Sequence, residues 1–135
     1  MQKLRERIVQ DNLDAIFISN TQNRRYVSGF ESSAGYLLLS QHEAVICTDF
    51  RYTEQASLQA PGWRVDRIGG KPDWLASLVN ELKIKVLGFE ADDLTVETLD
   101  HFRKNLKKNN VNPILKPTSG ICVELRSYKD NVELP

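Results

Sequence analysis

The amino-acid sequence predicts an α/β domain, a three-layer sandwich around a mixed, mostly parallel sheet of five to six strands that contains one antiparallel hairpin. Three observations carry this expectation. Short apolar runs bounded by polar residues, Gly or Pro alternate along the chain with stretches whose apolar positions recur at helical spacing, the pattern of strands joined by crossover helices. Two of the apolar runs, 35–39 and 44–48, are separated only by Ser40-Gln41-His42-Glu43, which suits a hairpin turn and is too short for a crossover. A length of 135 residues, 41% apolar and 27% charged, suffices for one buried core and not for two.

The elements follow in order. Leu4, Ile8, Val9 and Leu13 fall at helical spacing, so the chain opens with a helix, and Ala15-Ile16-Phe17-Ile18 continues as a buried strand. Asn20-Thr21-Gln22-Asn23 is turn chemistry, followed by a single helical turn over 24–28 that Gly29 stops. After the hairpin, Asp49 is placed to cap a helix over 50–60, because its carboxylate accepts the orphan amide donors of a first turn; Pro61-Gly62 ends it. Residues 63–68 alternate like a half-buried strand, and Gly69-Gly70-Lys71-Pro72 resets the chain. A helix over 73–82 buries Trp74, Leu75, Leu78, Val79 and Leu82 on one face. The run 86–89 is a strand whose Gly88 points to close backbone approach. Thr95, Glu97 and Thr98 open a helix that reaches 107 and ends at Asn109-Asn110. A short strand at 113–116 and a helix over 118–128 complete the domain, and 129–135 reads as the start of a connector.

Composition excludes several functions. Eighteen basic and eighteen acidic side chains cancel, leaving no global field to hold a nucleic acid or an anionic membrane. Cys47 and Cys122 have no CxxC spacing and no neighbouring histidine, so both read as buried thiols of a reducing compartment. The charged opening, Met1-Gln2-Lys3-Leu4-Arg5-Glu6-Arg7, lacks the apolar stretch of a signal peptide, and the run 36–39 is too short to span a bilayer; a cytoplasmic address is expected. Catalytic metal sites need clustered ligands, yet His42 and His101 stand apart and read as surface residues. No GxSxG elbow marks a nucleophile, and Pro72 removes a backbone donor that a phosphate loop at Gly69-Gly70-Lys71 would need. Asp49, Glu90, Asp92 and Asp93 lie near strand ends, where carboxylates cap helices or hold magnesium.

Read together, four segments carry more information. Asn23-Arg24-Arg25-Tyr26-Val27-Ser28-Gly29-Phe30 resembles the N-x-R-Y-L-T-G-F signature of the creatinase/prolidase amino-terminal domain. Thr48-Asp49-Phe50-Arg51-Tyr52-Thr53-Glu54-Gln55-Ala56 resembles that family's t-D-x-R-Y-x-x-Q-A segment, and Gly88-Phe89-Glu90 its G-F-E. Leu125-Arg126-Ser127-Tyr128-Lys129-Asp130 with Glu133-Leu134 is similar to its exit motif, L-R-x-x-K-d-x-x-E-l. The chain departs from the pattern at Val27-Ser28, at Tyr128 and at Pro135.

The resemblance implies a ribonuclease H-like topology over 1–128 and a connector at 129–135 leading to a catalytic domain that this chain does not contain. It implies a parent enzyme, an Xaa-Pro aminopeptidase or dipeptidase, which hydrolyses the bond before proline with water activated by a pair of divalent ions: manganese, cobalt or zinc. Creatine-hydrolysing and metal-free paralogues share the same domain. This chain would hold no metal and no catalytic residue. Its implied partners are the catalytic domain, a second subunit and, through the parent, short proline-containing peptides. In such a homodimer the loop opening with Phe30, Glu31, Ser32 and Ser33 becomes the candidate for residues near the partner's substrate. Tyr26, Gly29, Asp49, Arg51, Tyr52, Gly88 and Glu90 are expected to serve structure: core packing, backbone geometry and a helix-start ion pair between Asp49 and Arg51. From other classes, a small magnesium nuclease using Asp49, Glu90 and Asp92, or a stand-alone interaction module, are the competing expectations.

Overall fold

A computed structural model describes residues 2–31, 35–70 and 72–119. The helices are α1 (Gln2–Gln10), α2 (Thr21–Ser28), α3 (Thr53–Gln59), α4 (Trp74–Glu81) and α5 (Val96–Lys108). The strands are β1 (Ala15–Ile18), β2 (Tyr36–Ser40), β3 (Ala44–Thr48), β4 (Arg64–Arg67), β5 (Val86–Glu90) and β6 (Ile114–Thr118). They form one sheet in the order β4-β3-β2-β1-β5-β6. β2 runs antiparallel to both β1 and β3, while the pairs β1–β5, β3–β4 and β5–β6 are parallel. Five strands therefore share one direction and β2 alone opposes them. The cause is local: α2 does not carry the chain back across the sheet, so β2 starts at the rim where β1 ended. The turn at its far end is closed by Ser40, whose N–H donates to the Glu43 carbonyl and whose hydroxyl accepts the N–H of Glu43 at 2.9 Å.

The continuous apolar runs are explained by burial on both faces. Ile16 and Ile18 of β1 face a cluster built with Leu4 and Ile8 of α1, Phe30 and Ala56 of α3. Ala15 and Phe17, pointing the other way, face Leu75, Leu78 and Val79 of α4 and Leu106 of α5. The sheet is thus the middle of three layers. On the second face Phe17 stacks on Tyr36 at 4.8 Å between ring centroids, and Phe102 meets both rings edge-on. Cys47 lies in this core as a free thiol that burial pushes far above its ordinary pKa; Cys122 lies outside the described residues.

Three boundaries differ from expectation. Asn20 begins a helix instead of a turn: its side chain accepts the Asn23 N–H at 3.0 Å, so α2 has two turns rather than the one expected. Asp49 does not cap a helix, because its carboxylate accepts from Arg51 and holds residues 49–52 in a turn; α3 starts at Thr53. Thr118, expected to open a helix, pairs with Glu90 as the end of β6, and the remainder of that expected helix lies outside the described residues. Elsewhere the expected ends hold: Gly29 closes α2 with φ 82°, and Asn110 at φ 59° follows α5. His42 and His101 are exposed. No helix among the described residues is long and apolar enough to cross a membrane.

Both sheet edges are guarded. β6 contains Pro117, which has no N–H, and on β4 Arg64 forms ion pairs with Asp66 at 2.7 Å and with Glu81 of α4.

Gly88 lies between β1 and β6 on β5. A Cβ there would sit 2.7 Å from Leu13 Cδ1 and 3.2 Å from Thr118 Cγ2. Gly88→Ala is expected to lower stability by roughly 1–3 kcal/mol through overpacking, read as a reduced urea midpoint with an unchanged slope.

Candidate functional site

The carboxyl ends of β1, β3, β4 and β5 converge with the start of β2 on one rim, where open α/β sheets place ligands. The rim is organised by Glu90, the last residue of β5, which is only 6% exposed. One carboxylate oxygen accepts the backbone N–H groups of Ser19 at 2.8 Å and Asn20 at 2.9 Å; the other accepts from Asn23 Nδ2 at 2.5 Å. These donors belong to the turn between β1 and α2 and to the first turn of α2, where the helix dipole favours a negative charge. A second carboxylate, that of the exposed Asp93, accepts from Ser19 Oγ at 2.6 Å and from Asn20 Nδ2 at 3.3 Å. The segment after β1 is thereby tied twice to the segment after β5.

Beneath this rim lies Arg24, 3% exposed. Its Nη2 donates to Thr21 Oγ1 at 3.0 Å, while Nε and Nη1 have no hydrogen-bond partner among the described residues. A buried donor left unpaired costs about 1–3 kcal/mol, so this arrangement needs an explanation. Burial pulls the Arg24 guanidinium below its ordinary pKa, against the opposing pull of Tyr36, Asp93 and Glu90. Burial likewise raises the Tyr36 phenol, and Arg24 opposes that shift. Arg24 lines a depression of about 420 Å³ together with Ser19, Thr21, Gly35, Tyr36, Thr48, Asp49, Ile68 and Asp93.

A second knot sits at the far end of α2. The Gly29 N–H donates to the Arg25 carbonyl at 2.8 Å, and the Phe30 N–H donates to Ser28 Oγ at 3.0 Å. The next residue, Glu31, is held from three sides. Its N–H donates to Gln59 Oε1 at 2.8 Å, its carbonyl accepts from Gln55 Nε2, and its carboxylate pairs with Arg25 at 3.1 Å. Gln55 also donates to Gln59 at 3.2 Å. The glutamine of one sequence motif thus clamps the residue that follows another.

Phe30 is 2% exposed and belongs to the core, since its ring fills the space between β1, β2 and α3; it presents no side chain to the rim. Glu31 is at the surface, and Ser32 and Ser33 lie outside the described residues. Tyr26 is half-buried. Asp49 and Arg51 form the expected ion pair at 2.8 Å, and the Arg51 guanidinium lies 5.2 Å from the Tyr52 ring centroid. That hydrogen-bonded guanidinium holds the Asp49 carboxyl below its ordinary pKa. Asp49, Glu90 and Asp92 do not gather: the described residues contain no group of three or more His, Cys, Asp or Glu able to hold a metal ion. They therefore do not fit a divalent pair or the magnesium site of a nuclease. Asp93, one of the strand-end carboxylates the sequence offers, joins the rim through Ser19 and Asn20, whereas Arg24 is not distinguished by the sequence, where it fills the variable position of its motif and no spacing marks it as buried.

Glu90→Ala leaves three donors without their acceptor and is expected to cost about 2–4 kcal/mol. Glu90→Gln is expected to cost less than half of that, because Asn23 Oδ1 is unpaired and can accept the new amide after an Asn23 flip; paired urea denaturations decide between the two. Because the folded pKa of Asp49 is depressed, its contribution is present above the unfolded carboxyl pKa and is lost as pH falls through the lower folded value. The acid limb of the stability curve should accordingly be shallower in Asp49→Asn than in the wild type, as thermal melts across acidic pH would show.

Comparison with known proteins completes the picture. The family model described as the creatinase/prolidase N-terminal domain matches residues 1–128. "Uncharacterized peptidase YqhT" of Bacillus subtilis (strain 168) is 33% identical over 135 residues, which is 99% of this chain and 37% of that protein. The Xaa-Pro dipeptidase from Bacillus anthracis superposes with a TM-score of 0.84 at 36% identity, over 93% of this chain and 34% of that one. The crystallised N-terminal domain of the cytoplasmic peptidase PepQ from Mycobacterium tuberculosis H37Rv gives a TM-score of 0.82 at 38% identity, over 91% of this chain and 95% of that one. The chain thus spans little more than a third of YqhT and of the dipeptidase, and nearly all of the isolated PepQ domain. With three of its sequence motifs joined by hydrogen bonds or shared core around α2, and with these matches along its length, the chain belongs to the creatinase/prolidase N-terminal domain family.

Proposed function

We propose that this chain is the amino-terminal, non-catalytic part of a metal-dependent Xaa-Pro peptidase of the aminopeptidase P or prolidase type. In this reading residues 129–135 begin the connector to a catalytic domain, and that domain supplies the ligands for two divalent ions, manganese, cobalt or zinc. The protein works in the cytoplasm as a homodimer whose substrates are short proline-containing peptides. The domain contributes to the dimer and narrows the approach to the partner's active site.

The observation that carries this reading is the clamp on Glu31. Backbone and side chain of Glu31 are both fixed by Arg25, Gln55 and Gln59, which gives the start of the candidate loop a set position. A group that must meet a substrate held by another subunit needs such a base, because misplacement by an ångström is costly. The family membership and the PepQ domain's printed description as part of a cytoplasmic peptidase support the same assignment.

The test uses the full-length peptidase. Replacing Glu31, Ser32 and Ser33 with alanine is expected to raise KM for an Xaa-Pro substrate by about threefold to tenfold while kcat stays nearly constant, the signature of lost substrate positioning. Gln55→Ala, which loosens the base without touching the loop, should give a smaller rise in the same direction. Unchanged kinetics in the triple variant would reject the substrate-proximal role, and a parent without five metal ligands beyond residue 135 would reject the peptidase assignment.

A further inference from the structure

The geometry points to a second binding site on this domain: the Arg24 depression takes a small zwitterion of the α-amino-acid type, its carboxylate on Arg24 and its amine toward Asp93. This goes beyond the reading above and requires neither a metal nor a partner subunit. The first observation is the state of Arg24. A guanidinium 3% exposed, with Nε and Nη1 unpartnered among the described residues, lines a space that opens to solvent. Every N–H of a guanidinium is a donor, so only an acceptor satisfies it, and a carboxylate does so with charge as well as hydrogen bonds.

The second observation is the shape of the space. Gly35 stands where a side chain would intrude: a Cβ there would lie 2.9 Å from the Cys47 carbonyl, 3.3 Å from Thr48 Oγ1 and 3.4 Å from Arg24 Nη1. The unpartnered nitrogen, the Thr48 hydroxyl and the bare Cα therefore converge on one corner. At about 420 Å³ the depression falls within the size range of small-molecule sites, roughly 300–1,000 Å³.

The third is the charge pattern, which selects the ligand. Arg24 is a single positive charge below, whereas Asp93 stands exposed on the lining. Asp49 on the same lining is already neutralised by Arg51. A phosphate would bring a second negative charge against Asp93 and the nearby Glu90, and a simple cation would meet Arg24. A molecule with one carboxylate and one ammonium matches both ends.

The experiment is a titration of the isotope-labelled chain by NMR, following the Arg24 Nε–H and Gly35 amide resonances with glycine, acetate, N-acetylglycine and inorganic phosphate as probes. Glycine is expected to shift both resonances saturably. N-acetylglycine and acetate should bind roughly twofold to fivefold more weakly, the worth of one exposed ion pair. Asp93→Asn should abolish that preference, and Arg24→Met should abolish the response of Gly35 to every probe. Should Arg24→Met fail to fold, the wild-type series and Asp93→Asn carry the test. Resonances that stay fixed with all four probes, equal affinity for glycine and acetate, or tighter binding of phosphate would each overturn the proposal.

Discussion

The carboxylate of Glu90 accepts three hydrogen bonds from a segment far from it in sequence, and the rim of the domain depends on that convergence. Without it, the chain leaving β1 would be held to the segment after β5 only by the exposed Asp93. α2 sets the position of Gly29, and Gly29 sets the point from which the chain re-enters the sheet as β2. Since β2 is the one strand running against the rest, its placement decides which residues share the rim with the ends of β1, β3, β4 and β5. One buried, fully engaged carboxylate thus fixes both a local turn and the topology around it. Its charge is tolerable because two backbone donors and an amide surround it at the start of a helix.

The same logic accounts for the relation between the sequence motifs. Asn23 belongs to the first, Glu90 to the third, and they touch; Gln55 belongs to the second and grips the residue after the first. Motifs separated by tens of residues are parts of two hydrogen-bonded knots at opposite ends of one helix. Between them, Phe30 and Ala56 join the same apolar cluster. The packing of the core and the polar knots are therefore mutually dependent: the helix cannot be displaced without exposing the ring of Phe30.

Much of the architecture was legible in the sequence because it rests on period and punctuation. Apolar runs such as 15–18 and 36–39 are buried on both faces, and Thr95 opens a helix while Gly29 and Asn110 follow helix ends, by local chemistry that the residue types themselves specify. The errors came where a polar residue had two local options. Asn20 suits a turn by residue type and is a helix cap, because Glu90 supplies the distant acceptor that stabilises that path. Asp49 suits a helix cap by residue type and instead serves Arg51, two residues on, since the neighbouring guanidinium offers a charged donor. Arg24 was invisible for a different reason. Nothing in Asn23-Arg24-Arg25 tells which arginine is buried; only the three-dimensional position of α2 against the rim separates them.

The guarded edges have a consequence for assembly. A six-stranded sheet with open margins would ordinarily invite a second copy to extend it strand by strand. Here Pro117 interrupts the donor row on one margin, and the network of Arg64, Asp66 and Glu81 covers the other with charge that would have to be stripped of water. Lengthening the sheet across two molecules is thus disfavoured at both ends. Among the described residues, association of this domain with a neighbour is left to its helical layers and to the rim.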